Sequence, residues 1–214
     1  MDKLFLEAKS NVDIKKAVEK AIKLLPQKVG IVTTAQHKHK LKEIKEILEK
    51  NKIKAEIAGQ VLGCNAAKAV KIKENVDAFL YVGSGRFHPI EIQLETGKKV
   101  IMANPFVNEV KILEDEEVEK LIKQQRGALL KFLTSKEIGI LVSSKPGQEK
   151  LKKAFELKKK LKDKNCYIFM SDILNPMEFE NFPFIECWIN TACPRFADEK
   201  KGVINYELVE ENLQ

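Results

Sequence analysis

Short runs of apolar residues alternate along the chain with stretches whose apolar residues recur every three or four positions. This is the pattern of strands separated by amphipathic helices. Leu4–Glu7 reads as a short first strand. Asp13–Leu25 follows as a helix with Ile14, Val18, Ala21, Ile22 and Leu25 on one face, and Pro26 stops it. Val29–Thr33 is a buried strand, and the next helix carries Leu41, Ile44, Ile47 and Leu48 on one stripe. Ile53–Ile57, Asp77–Val82 and Lys99–Ala103 read as further strands, the last ending at Asn104-Pro105.

The second half repeats this grammar. A charged stretch, Glu114–Lys123, leads through a long helix to Ser135 and connects the two halves. Ile138–Val142 reads as a strand, Gly147–Leu161 as a helix, and Tyr167–Met170 and Phe184–Ile189 as strands. Strands separated by helices imply parallel sheets with helices on their faces. The expected fold is α/β, with two similar small lobes, residues 1–112 and 113–214, the second including the connecting helix.

Composition fits this reading. The chain has 214 residues, 44% hydrophobic and 32% charged, which suits a folded protein rather than a disordered one. No apolar run approaches a membrane span, and Met1-Asp2-Lys3 lacks the layout of a signal peptide, so a cytoplasmic location and no membrane partner are expected. The net charge of +7 is mostly lysine. Eight lysines fall in Glu149–Lys164 among Leu151, Ala154, Phe155, Leu157 and Leu161. This is the pattern of a solvated helix face, with a basic surface for an anionic partner as the alternative. Aromatic residues are sparse and not interleaved with the basic ones, so direct nucleic-acid binding is not expected.

Ligands of open parallel sheets bind beyond the carboxyl ends of the strands, and the unusual residues cluster there. Val82 is followed by Gly83-Ser84-Gly85-Arg86-Phe87-His88-Pro89, which joins turn-forming glycines to a guanidinium and an imidazole. Val142 is followed by Ser143-Ser144-Lys145-Pro146-Gly147-Gln148, read as opening a helix whose first amides and lysine suit a carboxylate or phosphate. The spacing is not that of a P-loop. Both segments also read as ordinary solvent-facing turns. Four cysteines and no CxxC pair argue against a zinc ribbon, and a reducing compartment favours metal binding or catalysis over disulfides. Cys64 stands in Gly63-Cys64-Asn65 at a loop-to-helix junction, where a helix N-terminus favours the thiolate. Cys193 lies just past a strand, in Thr191-Ala192-Cys193-Pro194-Arg195. Cys187 alternates with Ile185 and Ile189 and reads as a core residue; Cys166, preceding a strand, reads as structural. His37 and His39 follow the first buried strand without forming a metal motif.

Five strings, in order and with matching spacing, resemble the diphthamide synthesis family: Val32–His37, Gly59-Gln60-Val61-Leu62-Gly63-Cys64, Val82–Pro89, Lys145-Pro146-Gly147-Gln148 and Asn190–Arg195. The resemblance implies three similar α/β domains that each supply one cysteine to a [4Fe–4S] cluster. This chain resembles the second and third, with Cys64 and Cys193 at their cluster positions. Ser84 stands where an acidic residue is more usual in the family, and Asn104 where aspartate is common. The implied activity is transfer of a 3-amino-3-carboxypropyl group from S-adenosylmethionine to a histidine of elongation factor 2. In it, the reduced cluster cleaves the cofactor and the resulting radical adds to the imidazole. Gly83, Gly85, Arg86, His88, Lys145, Gly147 and Gln148 are the implied cofactor-binding residues. Three cysteines leave one iron open and the matching positions supply two. A homo-oligomer or a partner chain carrying the missing domain is therefore expected. The alternatives are a non-catalytic partner or regulator of a full-length synthase, and a different metal- or nucleotide-binding module built from the same lobes.

Overall fold

A computed structural model describes residues 8–199 and 202–213. The expected strand at Leu4–Glu7 lies outside them. The chain divides into two compact units, Met1–Val118 and Glu119–Gln214. In the first, helix α1 (Lys15–Ala21) precedes strand β1 (Lys28–Thr33), α2 (Leu41–Lys50), β2 (Lys54–Gln60), the one-turn α3 (Ala67–Val70), β3 (Ala78–Val82), α4 (Phe87–Thr96), β4 (Lys99–Asn104) and β5 (Glu109–Ile112). Helix α5 (Asp115–Thr134) runs across the division. The second unit contains β6 (Glu137–Ser143), α6 (Leu151–Lys160), β7 (Asn165–Ser171), β8 (Cys187–Asn190), α7 (Arg195–Glu199), β9 (Val203–Asn205) and α8 (Tyr206–Glu211).

Each unit is built on one sheet, and the two sheets share a plan. Their orders are β2-β1-β3-β4-β5 and β7-β6-β8-β9, with every pairing parallel except β4 with β5. Strands β1 to β4 thus correspond to β6 to β9. In each unit the chain moves outward by one strand and then crosses back. The topological switch point falls between β1 and β3, and again between β6 and β8.

The correspondence reaches single residues. Gly30 pairs with Phe79, and Gly139 pairs with Trp188. A Cβ on Gly30 would stand 2.4 Å from the Phe79 ring, and one on Gly139 would stand 2.4 Å from the Trp188 ring. Each glycine therefore makes room for the aromatic ring of its neighbouring strand. On the opposite face, Val29, Ile31, Leu80, Val82 and Ile101 pack against Val18 and Ala21 of α1 and Ile44 and Leu48 of α2. In the second unit, Ile138, Ile140, Val142, Cys187 and Ile189 pack against Phe132, Ala154 and Leu157. Each fully buried aliphatic side chain contributes roughly 1.5–3 kcal/mol.

Several elements differ from the sequence reading, each for a local reason. The first helix ends at Ala21 and tightens into a 3-10 turn at Ile22–Leu24 before Pro26. Helix α6 begins at Leu151 rather than Gly147. Gly147 takes φ +86°, outside right-handed helical space, and closes a separate turn in which the Gln148 and Glu149 amides donate to the Lys145 carbonyl. The segment expected at Phe184–Ile189 is a strand only from Cys187, because Ile185 turns back to bond the Phe182 carbonyl. Cys166 lies inside β7, not before it. Helix α4 starts two residues before Pro89, which occupies the first turn, where its missing N–H costs nothing.

Candidate functional site

At the carboxyl end of the second sheet, the loops after β6, β7 and β8 line an open cavity of about 230 Å3. Ser143 at the end of β6 is joined by Lys145 and Gln148 of the loop that follows it, Asp172, Ile173 and Leu174 come from the second loop, and Ala192, Cys193 and the α7 residue Phe196 from the segment after β8. The cavity is therefore at the switch point of this unit, and it combines a thiol, an ammonium, a carboxylate and an amide with apolar walls. Ser144 donates a hydrogen bond to the Asp172 carboxylate and ties the first two loops together. The Lys145 backbone N–H bonds the Ser143 hydroxyl at 3.2 Å.

The loop bearing Cys193 is held by one buried and one half-buried side-chain amide. Asn190, 1% exposed, donates to the Cys193 carbonyl at 2.8 Å and accepts from the Ala192 N–H at 3.0 Å. Asn205 accepts from Asn190 at 2.8 Å and donates to the Pro194 carbonyl at 3.1 Å. The Thr191 hydroxyl donates to the Leu141 carbonyl at 2.7 Å. Arg195 pairs with Asp198 at 2.6 Å, and Gln124 of α5 donates to the Ala197 and Asp198 carbonyls. Backbone and side chain alike thus fix where the Cys193 thiol emerges. Cys193 itself is half-buried.

In the first unit, Cys64 is exposed in a tight turn whose Leu62 and Asn65 exchange backbone hydrogen bonds. Asn65 accepts from the Ala67 N–H at the start of α3. Cys64 therefore precedes the one-turn helix α3 by three positions, so the helix begins further along than the expected loop-to-helix junction. The turn after β3 packs closely. A Cβ on Gly83 would meet the Tyr81 hydroxyl oxygen at 2.7 Å, and that hydroxyl donates to the Ser84 carbonyl at 2.8 Å. The Tyr81 ring stacks on His88, with centroids 5.7 Å apart. Gly85 follows in the same turn, and Arg86 pairs with Glu117. His37 is buried beside Phe106, and burial together with Lys40 and His39 holds its imidazole below the ordinary value.

The four thiols fall into two classes, and none is in a disulfide. Cys166 and Cys187 belong to the core of the second unit. Burial pushes the Cys166 thiol up, and the Cys187 thiol up to about 11. Cys64 and Cys193 lie outside the cores, on loops that follow β2 and β8. Each unit thus offers one accessible thiol. Of the expected cofactor-binding residues, Lys145 and Gln148 share one cavity with the expected cluster ligand Cys193, and Gly147 shapes its rim turn. Gly83, Gly85, Arg86 and His88 belong to the other unit. Asp172 and Asn205 were not singled out by the sequence. A polar residue directly after a strand end was the available signal for Asp172; Asn205 carries none.

A model of the diphthamide synthesis protein family matches residues 1–201. The chain belongs to this family. The 2-(3-amino-3-carboxypropyl)histidine synthase of Pyrococcus horikoshii is 33% identical over 213 residues, covering 93% of this chain and 60% of that protein. The enzyme of the same name from Methanocaldococcus jannaschii is 33% identical over 189 residues, covering 86% of this chain and 50% of its own length. The crystal structure of Dph2 from Pyrococcus horikoshii with a 4Fe-4S cluster superposes with a TM-score of 0.79 and 31% identity, over 96% of this chain and 63% of that one. This member of the diphthamide synthesis family therefore spans half to about three fifths of the relatives it matches.

Proposed function

We propose that this chain works in diphthamide biosynthesis as part of a 3-amino-3-carboxypropyl transferase, with Cys64 and Cys193 as ligands of a [4Fe–4S] cluster and elongation factor 2 as the protein substrate. The observation that carries the proposal is Cys193, held on a rigid loop in a cavity that also presents Lys145, Gln148 and Asp172. The donor chemistry fits the cluster. Iron needs thiolates, and Cys64 and Cys193 lie outside the cores, whereas burial raises the Cys166 and Cys187 thiols. The two units are read as the family's second and third domains.

When bound, a reduced cluster supplies the electron that breaks a sulfonium bond of S-adenosylmethionine. The chain's own residues bind and orient. Lys145 and Gln148 offer a positive charge and an amide to the polar end of the cofactor, beside Cys193. Ile173, Leu174 and Phe196 give the same pocket an apolar wall. On the first unit, the Tyr81–His88 stack and the Arg86–Glu117 pair hold the turn after β3.

Among the described residues, neither unit brings three His, Cys, Asp or Glu side chains together as a metal site. A cluster with one open iron needs three protein ligands. The third comes from outside these two units, from more of the same protein or from a partner. A cytoplasmic location accords with cysteines that form no disulfide. No helix among the described residues is long and apolar enough to cross a membrane.

The test is anaerobic reconstitution, followed by assay for methylthioadenosine and for modified elongation factor 2 in the presence of reductant and S-adenosylmethionine. Activity should appear with a component that contributes a cysteine, and fall to background in Cys64→Ser or Cys193→Ser. Turnover by the single chain when monomeric, retained in Cys166→Ser and Cys187→Ser, would overturn the need for an outside ligand.

A further inference from the structure

We propose that the free edge of β7 in the second unit is a strand-addition site for an extended segment of a protein partner, one whose alternate residues are acidic and face α6. The inference is independent of the cluster reading above.

The four sheet edges differ in how they are closed. Strand β2 carries Lys54 and Glu56, a register shift opposite Ile31 and Val32, and Gly59 at φ +110°. Strand β5 has four residues, among them the charged Glu109 and Lys111, and β9 has three. Charge, irregularity and shortness keep an edge from pairing with other chains. Strand β7 has none of these. It runs from Asn165 to Ser171 without a charge, a glycine or a proline, and its register with β6 is unbroken. Among the described residues it pairs only with β6. The Asn165 N–H donates to the Lys136 carbonyl, and the Ser171 carbonyl accepts the Ser144 N–H. The odd-numbered residues of β7 therefore bond β6, and the N–H and C=O groups of Cys166, Ile168 and Met170 point outward.

Both faces beside this edge are apolar and open. On one, Tyr167 is 40% and Phe184 50% exposed, and their rings meet edge to face with centroids 5.3 Å apart. On the other, which α6 covers, Met170 is 53% exposed and shares its face with Cys166 and Ile168. Charge selects the occupant. Lys150 and Lys160 pair with Glu207 and Glu210 of α8. Lys152, Phe155, Lys158 and Lys159, three and four positions apart, share the side of α6 away from α8. That is the side of the β7 edge, because α8 packs on β8 and β9. These three lysines form no ion pair among the described residues, and the charge of Lys158 acts on the Cys166 thiol. A second copy of the chain, paired antiparallel along the edge, would bring two such lysine rows onto the same face. An acidic strand instead meets them with opposite charge, while its other side chains reach the Tyr167–Phe184 face.

The test is binding of the full chain to a fluorescent peptide as long as β7 in which valine and glutamate alternate, and to its valine–lysine counterpart, followed by anisotropy. The glutamate peptide should bind saturably and about ten-fold or more tighter than the lysine peptide. Methylating its backbone nitrogens at alternate positions should abolish binding in one frame and spare it in the other, since only one set of amides faces β7. Met170→Pro removes an outward N–H, leaves the bonds to β6 in place, and should weaken binding about ten-fold. Lys158→Glu combined with Lys159→Glu, two exposed changes that spare the strand, should weaken the glutamate peptide by a similar factor and strengthen the lysine peptide. Equal affinity for the two peptides, equal effects of methylation in both frames, or no saturable binding at millimolar peptide would overturn the proposal. Dimers of the chain alone in sedimentation, abolished by Met170→Pro in a protein with unchanged circular dichroism, would assign the edge to a second copy and overturn it as well.

Discussion

Asn190 and Asn205 together supply three hydrogen bonds to the backbone of the loop that carries Cys193. Truncation would leave buried amides and carbonyls unpaired, at roughly 1–3 kcal/mol each. Asn190→Ala should therefore lower stability in urea by about 2–3 kcal/mol and speed alkylation of Cys193 under native conditions. Asn205→Ala should do the same to a smaller extent. An unchanged alkylation rate in both would show that the loop holds its position without the clamp. Cys187 makes a pH-dependent contribution. Its folded value, about 11, lies above the ordinary value of 9.0. The unfolded chain thus releases this proton first as pH rises, and stability present below pH 9 is lost between about 9 and 11. The loss attributable to this thiol is at most about 3 kcal/mol. Cys187→Ala should flatten that part of the stability profile, which chemical denaturation at several pH values would reveal. Cys187 was legible as a core residue because it alternates with two isoleucines. Asp172 and Asn205 were not legible, since their roles depend on loops that only the fold brings together.

The strands of both sheets were readable because buried parallel strands are continuous runs of β-branched and aromatic residues. The short elements were not. Strand β5 has four residues, β9 three and α3 four, too few for a period to show. Helix α4 was hidden by Pro89, which reads as a breaker but occupies the first turn. The loop after β6 was misread as a helix start because Gly147 sets the chain into a separate turn. At this scale the repeated glycine–aromatic pairs make a sharp prediction. Gly139→Ala and Gly30→Ala each place a methyl carbon 2.4 Å from a neighbouring ring atom. Overpacking of this kind costs about 1–3 kcal/mol, so both variants should unfold at lower urea concentration. Gly139→Ala combined with Trp188→Leu should recover part of the loss, because the smaller side chain vacates the space. No recovery would mean that backbone conformation, rather than the ring, demands glycine there.

Across the whole chain, two units with the same strand order each carry one accessible cysteine, but at different topological positions: after β2 in the first and after β8, the counterpart of β3, in the second. The repeated fold was visible in the sequence as a repeated alternation of strand and helix. The asymmetric placing of the thiols was not, because it depends on strand order. The central claim is that these two thiols, and not the buried pair, hold iron. It is tested by the iron and sulfide retained after anaerobic reconstitution together with the component that contributes the third cysteine, and desalting, with the wild-type chain and with four single Cys→Ser variants whose folding is checked by circular dichroism. The expected result is bound iron in wild type, Cys166→Ser and Cys187→Ser, and iron reduced to background in Cys64→Ser and Cys193→Ser. Wild-type iron in either of the last two, or loss of iron from a folded Cys166→Ser or Cys187→Ser protein, would contradict it.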